Sequence, residues 1–410
     1  METHPAALKR ENAPLHLMAF GTAVCVSTVY IIQPILNLLA HAFHASVRQA
    51  GMVMTVTQIG FGIGIVFLVP LGDVIPKKRL ILAKLCLLSA TLVATGLVSS
   101  VTAMAACSLA IGLFATAAQD FVPLAAELSP PERRGRAIGI VMSGLMLGIL
   151  GSRILSGTLA QWAGWRAPFF ACAVLALLVV LLAWRKLPSI PPNHAATYPA
   201  LLHSIWALIA GQPLLVLSTV AHGFVGFTFS AFWTVLSFHL GESPFHLPPS
   251  QIGAFALAGF AGALIAPIAG RIADRHGPLF ILRTALGLIG LSFASMLVFP
   301  GSLAALAAAT VAFDMGAQLS MVSHQTIIYS LEPSARSRIN AVYVGGLFVF
   351  FAAGSFGASW AFANGGWAGV VFLCLGSCAA SAIVHLFLSR RWHRQNGPLA
   401  TELSGGVALT

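Results

Sequence analysis

Twelve apolar runs, separated by short polar loops, constrain this chain more than anything else in it. A helix needs ~20 mostly apolar residues to cross a bilayer. By that ruler the spans fall near 16–40, 49–72, 79–100, 103–127, 137–162 and 167–185. A second set falls near 213–240, 251–272, 279–299, 303–330, 339–363 and 367–389. Only 8% of the residues are charged, against roughly a quarter in an average soluble domain. So few charges cannot cover a water-facing surface, and lipid must be the solvent for most of it. The run after Lys9 and Arg10 is too long for a signal-peptide core and lacks a cleavage site, so it is read as the first span. The expected fold class is an all-α membrane protein of twelve transmembrane helices in two six-helix halves.

The loops set the orientation. Twelve spans put both termini on one side. That side collects Lys9 and Arg10, Lys77 to Arg79, Arg133, Arg134 and Arg136, Arg185 and Lys186, Arg271 and Arg275, Arg336 and Arg338, and Arg390, Arg391 and Arg394. These are 17 of the 22 basic residues. The other side holds Arg48 and Arg166, while Lys84, Arg153 and Arg283 lie inside spans. Basic loops stay cytoplasmic, so both termini are expected in the cytoplasm, in the inner membrane of a bacterium. Short basic clusters between apolar runs fit topology signals rather than a nucleic-acid surface.

The expected layout is a cytoplasmic N-terminus (1–15), a first bundle (16–186), a cytoplasmic linker (187–212), a second bundle (213–389) and a cytoplasmic tail (390–410). Pro188, Pro191 and Pro192 break any helix at the start of the linker. Pro199–Gly211 is expected to form a short interfacial helix, with Trp206 at the boundary. The six cysteines all fall in apolar segments without a CxxC pair, and read as buried hydrophobes. No cofactor or metal is expected.

The halves repeat at an offset of 202. AFHASVRQAG (42–51) aligns with PFHLPPSQIG (244–253), sharing Phe, His, Gln and Gly. Arg136 aligns with Arg338, and Gly164-Trp165 with Gly366-Trp367. Asp73 and Asp274 align at 201. A tandem repeat of six spans gives two parallel halves, with the substrate path expected between them near the midplane.

The chain resembles the major facilitator superfamily of transporters over nearly its whole length. The signature of that family is Gly-x-x-x-Asp-Arg-x-Gly between the second and third helices of a half. GRIADRHG (270–277) carries it in the second half. VPLGDVIPKKR (69–79) keeps Asp73 but has Val74 and Pro76 in place of the Arg and the second Gly. The segments YIIQP (30–34), PLGD (70–73) and RRGRAIGIVMSGLMLGIL (133–150) resemble the bacterial efflux branch, which exports drugs or metabolites against protons. The resemblance implies a gate made by Asp73, Asp274, Arg275, Arg136 and Arg338. There a carboxylate meets the positive end of a helix in the opposite half. The plain alternative is solvated loop charge.

Asp120 lies eight residues before Leu128, ~12 Å inside the end of the fourth helix. An ionised carboxylate there costs at least ~2.5 kcal/mol unless it faces water or a partner. It is the first candidate for a proton carrier, with Gln119 beside it; the alternative is a structural aspartate. Arg153 and Asp314 each lie 17 residues from a basic-side helix end, ~25 Å deep. Equal depth permits an ion pair, a shared cavity in which Arg153 binds substrate and Asp314 carries protons, or two separate charges near the outer surface. Tyr30, Gln33, Gln58, Gln318 and Gln325 can bind substrate or hold helices together. His324 can relay protons, whereas His222 reads as a lone histidine satisfied locally. Gly60, Gly62 and Gly64 are expected at close helix contacts, as are Gly144 and Gly148. In the efflux branch a Gly-rich fifth helix joins the halves, which Gly144, Gly148, Gly151 and Gly157 match loosely.

No GxxxxGKS/T phosphate loop, HExxH or CxxC pair supports an ATP-driven pump or a metal enzyme. The expected function is proton-coupled export of small organic molecules by a monomer in the bilayer. The competing readings are a proton-coupled uptake symporter of the same fold and a membrane receptor or scaffold without transport.

Overall fold

A computed structural model describes residues 14–191, 197–263, 277–332 and 336–396. All regular elements among them are helical. Among the described residues ten stretches are individually long and apolar enough to cross a membrane. In the first half these are α1 (Leu15–Ala42), α2 (Val47–Asp73), α3 (Lys77–Leu97), α4 (Val101–Leu128), α5 (Pro131–Ala163) and α6 (Ala167–Lys186). In the second half α7 is Pro213–Gly241, and α8 begins with Pro249–Ala254 and Ala256–Ala263, where the described residues stop. Next come α9 (Pro278–Val298) and α10 (Leu303–Leu331). The last stretch, Arg336–Asn396, bends at Gly366 and is two spans, α11 (336–365) and α12 (367–396). The protein is therefore an all-α membrane protein of twelve helices.

Local chemistry starts and stops these helices. Ser46 and Gln49 form a reciprocal capping box at the start of α2. Ser100 caps α4 through the Ala103 amide, and Ser302 caps α10 through Ala305, 202 residues on. Gly164 ends α5 at φ 81°, and Gly366 breaks α11 from α12 at φ 58°. His44 and His246 both sit at φ 50°, after α1 and α7. A positive φ is uncommon for any residue with a Cβ. Its recurrence at matched histidines carries the sequence repeat into the backbone.

The chain divides into two compact units. One takes residues up to Leu202 together with Leu247–Ala254; the other takes His203–His246 and the chain from Phe255 onward. Within the first, α1 packs on α5, α2 on α4, and α3 on α6. Within the second, α7 packs on the α11–α12 stretch, α8 on α10, and α9 on α10. Phe232, Phe293 and Phe313 join α7, α9 and α10 through edge-on ring contacts of 5.1–6.1 Å.

Glycines make the tightest seams. A Cβ on Gly112 would lie 2.0 Å from the Thr57 carbonyl oxygen, and one on Gly60 would lie 2.1 Å from that of Leu109, so α2 and α4 touch backbone to backbone. Gly144 and Gly148 face Ala19 and Ala23 of α1, inside their own bundle. Gly157 alone of the six α5 glycines meets the first turn of α8, where a Cβ would lie 2.2 Å from the Pro249 carbonyl oxygen. That turn belongs to the first unit. The linker carries a helix, Tyr198–Gly211, with Ile205 and Leu208 buried and Trp206 exposed. Its Tyr198 hydroxyl donates to the Phe67 carbonyl at 2.9 Å.

Candidate functional site

Asp120 is not a lone carboxylate. Its helix breaks at Thr116 and restarts at Ala117, which puts Asp120 in the first turn of the new segment, where the helix dipole favours an acid. Gln119, half-buried, lies beside it. Lys84, seven residues into α3, reaches across and places Nζ 2.7 Å from Asp120 Oδ2. The two side chains are 3% and 2% exposed. The other carboxylate oxygen points toward Gly72 at the end of α2. A buried charge is tolerated when paired and hydrogen-bonded, and this pair meets both terms. Sequence reasoning left Lys84 as a charge in a span, although its distance from the helix end matches that of Asp120.

A second group forms between α1 and α5. Pro34 tightens α1 into a 3-10 turn over Gln33–Ile35. The Ile35 amide therefore bonds back to Ile32, and the Ile31 carbonyl accepts from the Ser156 hydroxyl of α5 instead. Arg153, one turn earlier on α5, donates Nε to Gln33 Oε1 at 2.9 Å. Its guanidinium carbon lies 5.3 Å from the centre of the Tyr30 ring. Gln33 and Arg153 are buried, and Tyr30 is partly open. Three expected binding residues thus share one place in the first unit. Gln58 is buried on α2.

In the second unit Asp314 is buried on α10 against Trp233 and Gly259, where a Cβ on the glycine would lie 2.1 Å from Oδ2. Residues 259 and 314 are the repeat partners of Thr57 and Gly112. The second α-helical seam therefore holds a carboxylate where the first holds bare backbone. Gln318 and Gln325 are half-buried on the same helix, and His324 is buried. His222, read from sequence as solitary, contacts Ser320, His324 and Tyr343.

Of the expected gating residues, Asp73 is exposed at the end of α2, and its charged neighbours are Lys77 and Glu127. Those two pair with each other across α3 and α4. Arg136 and Arg338 are exposed near the starts of α5 and α11. Asp274 and Arg275 lie outside the described residues.

Comparison with known proteins decides the family. The model of the Major Facilitator Superfamily matches residues 18–243 and 218–405, nearly the whole chain. The chain belongs to the major facilitator superfamily. The uncharacterized transporter YgaY of Escherichia coli is 36% identical over 379 residues, 92% of this chain and 95% of YgaY. The inner membrane transport protein YnfM of Escherichia coli is 27% identical over 275 residues, 64% of this chain and 63% of YnfM. Among solved structures, a bacterial homolog of the human lysosomal transporter Spinster, inward-facing and occupied, matches with a TM-score of 0.71 at 14% identity. It covers 95% of this chain and 98% of that one. The nucleoside transporter NupG matches with a TM-score of 0.73 at 12% identity, covering 92% and 98%. At that identity these likenesses concern the fold. As a superfamily member the protein is a multi-pass membrane protein and a secondary transporter that moves small molecules across a membrane.

Proposed function

We propose that this transporter exports small organic molecules in exchange for protons, by alternating access, from the inner membrane of a bacterium with both termini in the cytoplasm. The observation that carries the reading is the buried Lys84–Asp120 pair. A proton arriving at Asp120 cancels the attraction that holds Lys84 and leaves an unpaired ammonium in a dry site. The protonated and unprotonated forms therefore favour different arrangements of α3 and α4. Tyr30, Gln33 and Arg153 are assigned to substrate, with Gln58, Gln119, Gln318 and Gln325 as further polar contacts. Asp314 and His324 are assigned to proton movement in the second unit. Asp73, Asp274, Arg275, Arg136 and Arg338 are assigned to the cytoplasmic gate. The export direction rests on the resemblance of residues 30–34, 70–73 and 133–150 to the efflux branch.

The test is a substrate screen in inverted vesicles with an imposed pH gradient. Uptake driven by an acidic lumen supports antiport. Uptake driven by an acidic exterior makes the protein an importer in the cell-facing sense, and indifference to every gradient ends the proton-coupled reading. Asp120→Asn is expected to abolish the response to the gradient while the protein still reaches the membrane.

A further inference from the structure

The second unit buries a group of polar rings that the export mechanism does not use together. His222 on α7 places Nδ1 2.9 Å from Ser320 Oγ on α10. Its ring lies 5.4 Å from that of His324 on α10 and stacks on Tyr343 of α11 at 5.8 Å. His324 also lies in the field of His385 on α12. These four residues are between 0% and 6% exposed. Each lies ~10–17 Å along its helix from the same face of the membrane.

Among the described residues, several of their polar atoms have no hydrogen-bond partner. These are Nδ1 of His324, the Tyr343 hydroxyl, and both ring nitrogens of His385. A buried polar atom without a partner is costly, and a native bundle holds few. The surrounding charged and titratable groups are Arg283 of α9, which acts on His385, and Tyr329 of α10, which acts on Tyr343. Tyr329 itself donates to Asn340 of α11 at 2.7 Å. Among the described residues no carboxylate acts on the three imidazoles. Nor are any three His, Cys, Asp or Glu side chains among them placed to share a metal ion.

With the rings this buried and no carboxylate acting on them among the described residues, an imidazolium in the packed unit is costly. Water reaching the cluster would satisfy the orphan atoms and admit a charge at the same time. We propose that His222, His324 and His385 form a proton-binding site that is vacant while the second unit is packed and fills when that unit opens to water. This rests on the alternating-access reading and adds a site in a different unit from Asp120. By linkage, a proton bound there favours the opened form as strongly as opening favours the proton.

Hydrogen–deuterium exchange on the full-length protein in lipid nanodiscs tests it, at ~pH 8 and ~pH 5, which bracket imidazole titration. Rates are corrected for the intrinsic pH dependence of exchange. One linked proton shifts an opening equilibrium by up to about tenfold per pH unit. Peptides containing His222 and His324 are therefore expected to lose at least about tenfold protection at the lower pH. The protein carrying both His222→Asn and His324→Asn is expected to lose that response. Equal protection of the native protein at both pH values overturns the proposal, as does an undiminished response in the double variant. Should the double variant fail to fold, nitrogen-15 spectra of labelled histidines in the native protein decide. New imidazolium signals at the lower pH that vanish in His324→Gln support the site, and their absence or persistence ends it. A pH response without gradient-driven transport keeps this site and ends the proton-coupled reading. Gradient-driven transport with pH-independent protection does the reverse.

Discussion

Replacing Asp120 by leucine strands the Lys84 ammonium among apolar side chains. Removing one partner of a buried ion pair costs ~3–5 kcal/mol, whereas replacing both with apolar residues of similar volume is often neutral or stabilising. Asp120→Leu and Lys84→Met are each expected to fall in the first range. The pair of 2.7 Å, with both side chains at 3% exposure or less, is dry enough for that arithmetic. The double variant is expected within about 1 kcal/mol of the native protein. Simple addition would instead place it ~6–10 kcal/mol below. The assay is unfolding of the purified full-length protein, followed by tryptophan fluorescence, for all four members of the cycle. Additive losses, or single variants as stable as the native protein, would refute the buried-pair argument. The same double variant separates structure from coupling. It should fold, yet show no transport in response to a pH gradient. The exchange Lys84→Asp with Asp120→Lys restores the pair with its polarity reversed.

Gly112→Ala drives a methyl to 2.0 Å from the Thr57 carbonyl oxygen and should cost ~1–3 kcal/mol or abolish membrane accumulation; Gly135→Ala, with open space around it, should not. Membrane yield of tagged protein reads both. Gly259→Ala overlaps the Asp314 carboxylate and the Trp233 ring, so transport should fall more than yield. Ser156→Ala removes the bond to the Ile31 carbonyl and should cost ~1 kcal/mol in unfolding experiments. His44→Val puts a β-branched residue at φ 50° and should destabilise by ~1–2 kcal/mol, while His44→Gly should not.

Depth was legible in the sequence; rotation about the helix axis was not. Counting residues from a helix end places Asp120, Lys84 and Arg153 along the membrane normal, because rise per residue is fixed. It does not say which neighbour each side chain meets. Asp120 and Lys84 are 36 residues apart on different helices, and only packing brings them together. The same limit explains Gly144 and Gly148: their spacing announces a close contact, and only packing shows that α1 supplies it. His222 gave no local sign of company, since Ser320, His324 and Tyr343 come from distant helices. The spans were legible because bilayer thickness imposes a length, and the repeat because its turn residues have backbone angles that few side chains accept. Asp274 and Arg275 carry the clearest motif in the chain, and lie outside the described residues.

The seam between α8 and α10 couples two positions. The space that a side chain at 259 would need is occupied by the carboxylate of Asp314. An aspartate arriving at 314 opposite anything larger than glycine would have been expelled from the contact or would have forced the helices apart. In this packing a side chain at 259 and the carboxylate at 314 therefore exclude each other. At the matching place in the first half no side chain fits at 112, since a Cβ there would lie 2.0 Å from the Thr57 carbonyl oxygen. Two halves on one plan differ here at both members of the contact, Thr57 and Gly112 against Gly259 and Asp314. A single-site exchange between them would not undo it.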